Sequence, residues 1–227
     1  MSDAQFSLFG DTENAAPSPA AAALPATPAV GPYRDMAAMS LDCNQCQKCD
    51  LGATRTHAVV SRGNPAAKIM IIGEGPGENE DLTGKPFVGK AGQLLDRILE
   101  AVQLTEDDVL ICNIVKCRPP GNRKPTRDEM AACRPYLMEQ IRLVDPPLIM
   151  LAGASAIEGL FLEKNVKITQ IRGVWREWDG RQCLPVFHPS YLLRNPSKEK
   201  GSPKWLMWQD IQAVKQKLDE IKLEEDF

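Results

Sequence analysis

The chain has 227 residues, 43% of them hydrophobic and 25% charged, with a formal net charge of −3, which suits one substantial core or two small ones. No run of about 18 apolar residues occurs, and the N-terminus has neither the basic start nor the apolar stretch of a secretory signal, so a membrane partner is excluded and a cytoplasmic protein is expected. The acidic balance argues at first sight against a phosphate-rich partner, and seven cysteines in a reducing compartment point to metal or redox chemistry rather than a disulfide framework.

Taken along the chain, that charge is uneven. Residues 1–40 are rich in Ala and Pro and carry a net −3, the composition of a disordered tail. The last ten residues carry −4, which leaves the intervening 177 at +4. A single folded domain is expected over 41–221, with 222–227 an acidic C-terminal tail. Apolar runs at 68–73 (KIMIIG), 109–115 (VLICNIV), 147–153 (PLIMLAG) and 183–187 (CLPVF) read as four strands. Helical patterns fit 90–102, 127–144, 155–162 and 202–221, the last opening on Ser202-Pro203, an N-cap followed by Pro in the first turn. Strands alternating with helices predict an α/β domain of three layers, with the functional loops at the C-terminal ends of the strands.

Those loops hold the unusual residues. Cys43, Cys46 and Cys49 form two overlapping C-x-x-C spacings, and Cys117 and Cys133 lie downstream where they can complete a four-thiolate site. Four thiolates suit zinc or an iron–sulfur cluster; the single close set leans toward iron–sulfur. Cys112 and Cys183 fall inside apolar strands and read as core packing. After the first strand, Gly73-Glu74-Gly75-Pro76-Gly77 lacks the third glycine of a dinucleotide fingerprint, and Gly84-Lys85-Pro86 lacks the hydroxyl residue of a phosphate loop. Glu78, Glu80 and Asp81 would repel phosphate, whereas carboxylates there suit activation of water or stabilisation of a cation.

Asn113 interrupts an apolar strand, and its amide offers a donor and an acceptor side by side, a shape that reads the edge of a base. Phe87, framed by Gly84 and Gly89, is a core aromatic or a stacking platform. His188 ends a strand at Pro189 and is a catalytic candidate; His57 has no such placement. Lys116, Arg118, Arg123, Lys124 and Arg127 form a basic, Pro-rich loop, and Tyr191-Leu192-Leu193-Arg194 follow the His. These stretches would straddle a phosphate backbone, with Leu192 or Leu193 as an apolar wedge between bases.

Together, GEGPGENEDLTGKPFVGKAGQLLDRILEA, NIVKCRPPGNRKP, Cys133, LAGASA and FHPSYLLRNPS resemble, in order and spacing, the family 4 uracil-DNA glycosylases, the iron–sulfur branch of their superfamily. The resemblance runs from about Cys46 to Lys217. It implies a three-layer α/β/α sandwich around a four-stranded parallel sheet, and base excision repair: a deoxyuridine in single- or double-stranded DNA is flipped out and its N-glycosidic bond hydrolysed. It places the ligands of a 4Fe-4S cluster on Cys46, Cys49, Cys117 and Cys133 and leaves Cys43 spare. It puts Phe87 against the uracil face, Asn113 on its polar edge, the backbone of Gly73, Glu74 and Gly75 on its other side, and His188 at O2.

For the water-directing carboxylate the first choice is Glu74 and the second Glu80, because better-known branches carry Asp where Gly75 stands. Gly77 stands where those branches place a bulky aromatic that rejects thymine. The DNA contacts implied are Lys116, Arg118, Arg123, Lys124, Leu192, Leu193 and Arg194. In the tail, Gln5-Phe6-Ser7-Leu8-Phe9 is similar to the short peptide by which bacterial replication proteins dock onto the sliding clamp. A monomer in the nucleoid-associated bacterial cytoplasm is expected. The alternative is a non-enzymatic or covalently trapping uracil-DNA binder of the same superfamily, but no Lys-Arg-Arg-Ile-His-like insertion follows Cys117.

Overall fold

The computed structural model describes residues 32–225. Its strands are β1 (Arg62–Gly63), β2 (Ile69–Gly73), β3 (Val109–Asn113), β4 (Leu148–Ala152), β5 (Arg176–Trp178) and β6 (Arg181–Val186). The helices are α1 (Met36–Gln45), α2 (Leu51–Thr54), α3 (Glu78–Thr83), α4 (Lys90–Glu100), α5 (Arg127–Val144), α6 (Ala154–Phe161), α7 (Ile168–Ile171), α8 (Pro189–Arg194) and α9 (Pro203–Glu225). They build one sheet in the order β1-β3-β2-β4-β6-β5.

The four expected strands are its parallel centre. Strands covered on both faces need apolar side chains at every position rather than at alternate ones, and β2, β3 and β4 are buried throughout. One face, with Ile71, Ile111, Met150 and Val186, packs on Leu95 of α4, Leu192 of α8 and Ile211 of α9. The opposite face, with Met70, Leu110, Ile149 and Cys183, packs on Leu137 and Ile141 of α5 and Ile157 of α6. These are the three layers predicted, with Cys112 and Cys183 as strand packing.

Two short antiparallel edges extend the predicted four strands to six. β5 joins β6 through Asp179-Gly180, both at positive φ (48° and 75°), the backbone of a tight hairpin turn. β1 pairs with β3 through Gly63, at φ 96°, where a Cβ would lie 2.1 Å from the Val109 carbonyl oxygen. The domain also begins before residue 41. Asp35 caps α1 by accepting from Ala38 N at 2.8 Å, and Met39 is buried against Tyr136 and Val60. At the other end, α9 continues through Glu225, so the stretch expected as an acidic tail from 222 is mostly helix. The predicted clamp peptide at 5–9 and the rest of the tail to residue 31 lie outside the described residues.

Because β2, β3, β4 and β6 run parallel, Gly73, Asn113, Ala152 and Val186 finish at one edge of the sheet. The segments leaving that edge carry the site.

Candidate active site

Gly73 and Asn113 are register partners at the ends of β2 and β3, and the two segments stay tied beyond the ladder through Ile114 N to Gly73 O at 3.0 Å. A Cβ on Gly73 would fall 2.5 Å from both Asn113 Oδ1 and Phe87 Cζ. The absent side chain therefore lets an amide and an aromatic ring meet over the strand end. Asn113 is 1% exposed, and its Oδ1 has no hydrogen-bond partner. A buried acceptor left unpaired costs about 1–3 kcal/mol, so this oxygen is held ready for a ligand's donor.

Phe87 is held in a backbone conformation unusual for its type, φ 54°. Arg62 fixes it from behind, donating Nε to Pro86 O at 2.9 Å and Nη2 to Phe87 O at 3.3 Å while pairing with Asp96. Gly92 lets α4 come this close, since a Cβ there would overlap the Phe87 carbonyl. The Phe87 ring lies 5.7 Å from the His188 ring at 31°. Asn113, Phe87, Gly92 and His188 line a cavity of about 270 Å³ together with Glu74, Gly75, Gly77, Glu80, Arg123 and Ser190.

His188 caps α8. The backbone N–H of Ser190 donates to its Nδ1 at 3.2 Å, so that nitrogen is an acceptor and the ring proton sits on Nε2. Burial lowers its pKa to about 4, with Arg194 pushing the same way and Glu80 opposing. At neutral pH the group is an uncharged donor.

The two candidate carboxylates differ in what holds them. Ser155, 4% exposed at the start of α6, donates Oγ to Glu74 Oε2 at 2.5 Å, and Glu74 Oε1 is left for the cavity. Glu80 is fully engaged: Oε2 accepts from Gly77 N at 3.0 Å, and Oε1 from Val88 N at 2.9 Å and Gly89 N at 2.7 Å. That geometry makes Glu80, the second choice for a water-directing group, a brace of the loop carrying Phe87.

Two DNA-contact expectations are corrected. Lys116 is fully buried, with Nζ donating to Asn113 O and Gln140 Oε1, and Leu192 is 1% exposed in the core. Neither reaches a phosphate or a base stack. Leu193 is 42% exposed and Arg194 lies on the surface beside it. Three cations of the basic loop already have carboxylate partners. Arg118 pairs with Glu78 at 3.5 Å, Arg123 with Glu129 at 2.6 Å and Lys124 with Glu158 at 2.6 Å. Arg123 holds the Glu129 carboxyl down to about 2. Glu129 and Ser155 carried no sequence signal beyond their places near helix starts.

The cysteines expected as ligands share one small cavity. Cys46, Cys49, Cys117 and Cys133 line it with the spare Cys43, Arg55, Lys116 and Tyr136. Backbone Lys116 N donates to Cys133 Sγ at 3.2 Å, and Arg55 Nη1 to Cys117 Sγ at 3.6 Å and Cys46 O at 2.7 Å. Burial raises the Cys133 thiol to about 12 and pushes Cys49 and Cys117 up as well. Among the described residues no three ligating side chains converge as a single ion requires; zinc draws sulfurs to about 2.3 Å of one point. Arg55 was not singled out in the sequence, where it reads as one more basic residue.

The family model of the uracil DNA glycosylase superfamily matches residues 60–212. The chain belongs to that superfamily. It is 46% identical over 172 residues to the type-4 uracil-DNA glycosylase of Thermotoga maritima, covering 75% of this chain and 88% of the relative. It is 44% identical over 185 residues to the type-4 enzyme of Saccharolobus solfataricus, covering 78% and 83%. With the type-5 enzyme of Pyrobaculum aerophilum the identity is 30% over 152 residues, 60% of this chain and 67% of that one. Within the superfamily the likeness is thus greater to these type-4 members. No described helix is long and apolar enough to cross a membrane.

Proposed function

We propose that this superfamily member excises uracil from DNA by hydrolysing the N-glycosidic bond, with Cys46, Cys49, Cys117 and Cys133 holding a 4Fe-4S cluster. The observation that carries the base-reading step is the buried, unpartnered Asn113 Oδ1 beside the Phe87 ring. The flipped base stacks on Phe87. Its N3–H donates to Asn113 Oδ1 and its O4 accepts from the same amide. Cytosine reverses both roles and leaves the buried amide unpaired, the kind of mismatch that binding sites reject strongly.

As the bond between C1′ and N1 lengthens, its electron pair moves onto the base. The charge gathering at O2 meets the neutral Nε2–H of His188, and one preorganised donor of this kind contributes roughly 3–4 kcal/mol. The sugar becomes cation-like. Glu74, oriented by Ser155, directs a water at C1′ and takes its proton as the new C–O bond forms, leaving the uracil anion and an abasic sugar. Arg118, Arg123, Lys124 and Arg194 offer phosphate contacts and Leu193 an exposed apolar wedge. The first three would trade their carboxylate partners for phosphates.

Support for the cluster is the donor set, thiols gathered around one cavity. When bound, the cluster supplies a cross-link between the α1–α2 segment, the loop after β3 and α5; the hydrolysis needs no electron from it. Residues 5–9 are proposed as a sliding-clamp peptide.

The test is an oligonucleotide with one internal uracil, incubated with the protein and then treated with alkali. Strand cleavage at that position with release of free uracil is expected, and its loss in Asn113→Ala. No alkali-labile site overturns the reading. A protein–DNA adduct that survives denaturation favours the covalently trapping alternative.

A further inference from the structure

Lys116 stood in the sequence as a DNA contact, and its burial leaves it without that role. Its Nζ donates only to neutral acceptors, Asn113 O and Gln140 Oε1. Gln140 is itself fixed, because its Nε2 donates to Val60 O at 2.9 Å, which turns its oxygen toward the lysine. Among the described residues no carboxylate pairs with Lys116. A buried ammonium is costly unless a counter-charge lies close, and Lys116 is one of the residues lining the cysteine cavity, with Cys43, Cys117 and Cys133. The same residue's backbone N–H donates to Cys133 Sγ at 3.2 Å. Arg55, which also lines that cavity, is half-buried, whereas Lys116 is fully buried.

We propose that Lys116 is the buried counter-ion of the metal–thiolate centre and joins it to the base-reading strand by donating to the main-chain carbonyl of Asn113. This rests on the cluster reading above. Four thiolates outweigh the positive charge of an iron–sulfur core, so an ammonium beside them offsets the excess. It also favours the more negative, one-electron-reduced state. Lys116 is thus a positioning residue for the pocket and an electrostatic partner of the cluster, which hydrogen bonding alone would not make it.

The test measures iron and acid-labile sulfide per chain and the reduction potential by protein-film voltammetry, on the loaded protein. Three variants are compared: Lys116→Met, Gln140→Leu, and the pair together. The pair keeps the measurement possible if Lys116→Met alone does not fold, because it avoids leaving Gln140 Oε1 buried without its donor.

Loss of the charge is expected to disfavour reduction about tenfold, a fall of about 59 mV for one electron, in both variants lacking the lysine, while Gln140→Leu stays near the parent. A full cluster at unmoved potential in Lys116→Met, or equal shifts in all three, overturns the assignment. Parent protein that holds zinc and no iron overturns the cluster reading and this inference with it.

Discussion

Replacing Glu80 by Gln removes one charge and converts one acceptor into a donor. The parent carboxylate accepts three backbone N–H bonds, from Gly77 at 3.0 Å and from Val88 and Gly89 at 2.9 and 2.7 Å. The amide oxygen would stay with the last two, which leaves Nε2 facing the Gly77 N–H, donor against donor. Hydrogen bonds to a charged group contribute about 1.5–3 kcal/mol each. Losing one and weakening two to neutral strength therefore costs about 3 kcal/mol. For a domain of this size, 1 kcal/mol corresponds to about 2–4 °C, so calorimetry should show Tm lower by roughly 6–12 °C. Turnover on a uracil oligonucleotide should suffer chiefly in KM, because the loop that presents Phe87 loosens, and the pH profile of kcat should keep its shape. An unchanged Tm with a collapsed kcat would refute the brace and return Glu80 to the water-directing role.

Other substitutions separate the remaining roles. Glu74→Gln should lower kcat by about 10²–10⁴-fold with Tm preserved; Ser155→Ala should show a smaller fall in kcat, and equal activity of Ser155→Ala and parent removes the orienting role. Gly73→Ala places a methyl 2.5 Å from Asn113 Oδ1 and the Phe87 ring, so uracil release should disappear while far-ultraviolet circular dichroism is kept; a fully active alanine variant shows that the pocket lies elsewhere. His188 is neutral in the fold because burial lowers its pKa from 6.5 to about 4. The unfolded chain takes up the proton first, so stability falls as pH drops from 6.5 toward 4, by at most ~3 kcal/mol, and above 6.5 the group contributes nothing. Urea unfolding of His188→Asn should lose that part of the slope; an equally steep decline assigns it to other groups.

The central sheet was legible because strands covered on both faces are written as unbroken apolar runs, and Asn113 stood out as the polar break in one. β1 and β5 were not, since strands of two or three residues acquire meaning only beside the strand they edge. The start of α1 hid in an Ala-rich stretch whose composition continues through the buried Met39. Lys116 was misread for a physical reason. A lysine between Asn113 and Arg118 looks solvated, and its burial depends on Gln140, reached only when α5 folds back over the loop. Leu192 and Leu193 are neighbours on a six-residue helix, too short for periodicity to say which faces inward.

The glycines at 75 and 77 tie these observations together. A Cβ on Gly75 would stand 2.8 Å from Val115 Cγ2, and one on Gly77 would stand 2.8 Å from Glu80 Oε2. An acid at 75 would press on the Val115 side chain, whereas the carboxylate proposed to direct the water, on its neighbour Glu74, is one that Ser155 can hold. At 77 a bulky aromatic and the Glu80 brace compete for one space. Gly77→Tyr should therefore lower Tm much as Glu80→Gln does, rather than simply sharpen the pocket against thymine. Residues in contact do not add, so Glu80→Gln introduced into the Gly77→Tyr background should cost well under its separate ~3 kcal/mol. Full additivity in that double-mutant cycle would show that the aromatic and the brace coexist, and that Gly77 is not there to make room for Glu80.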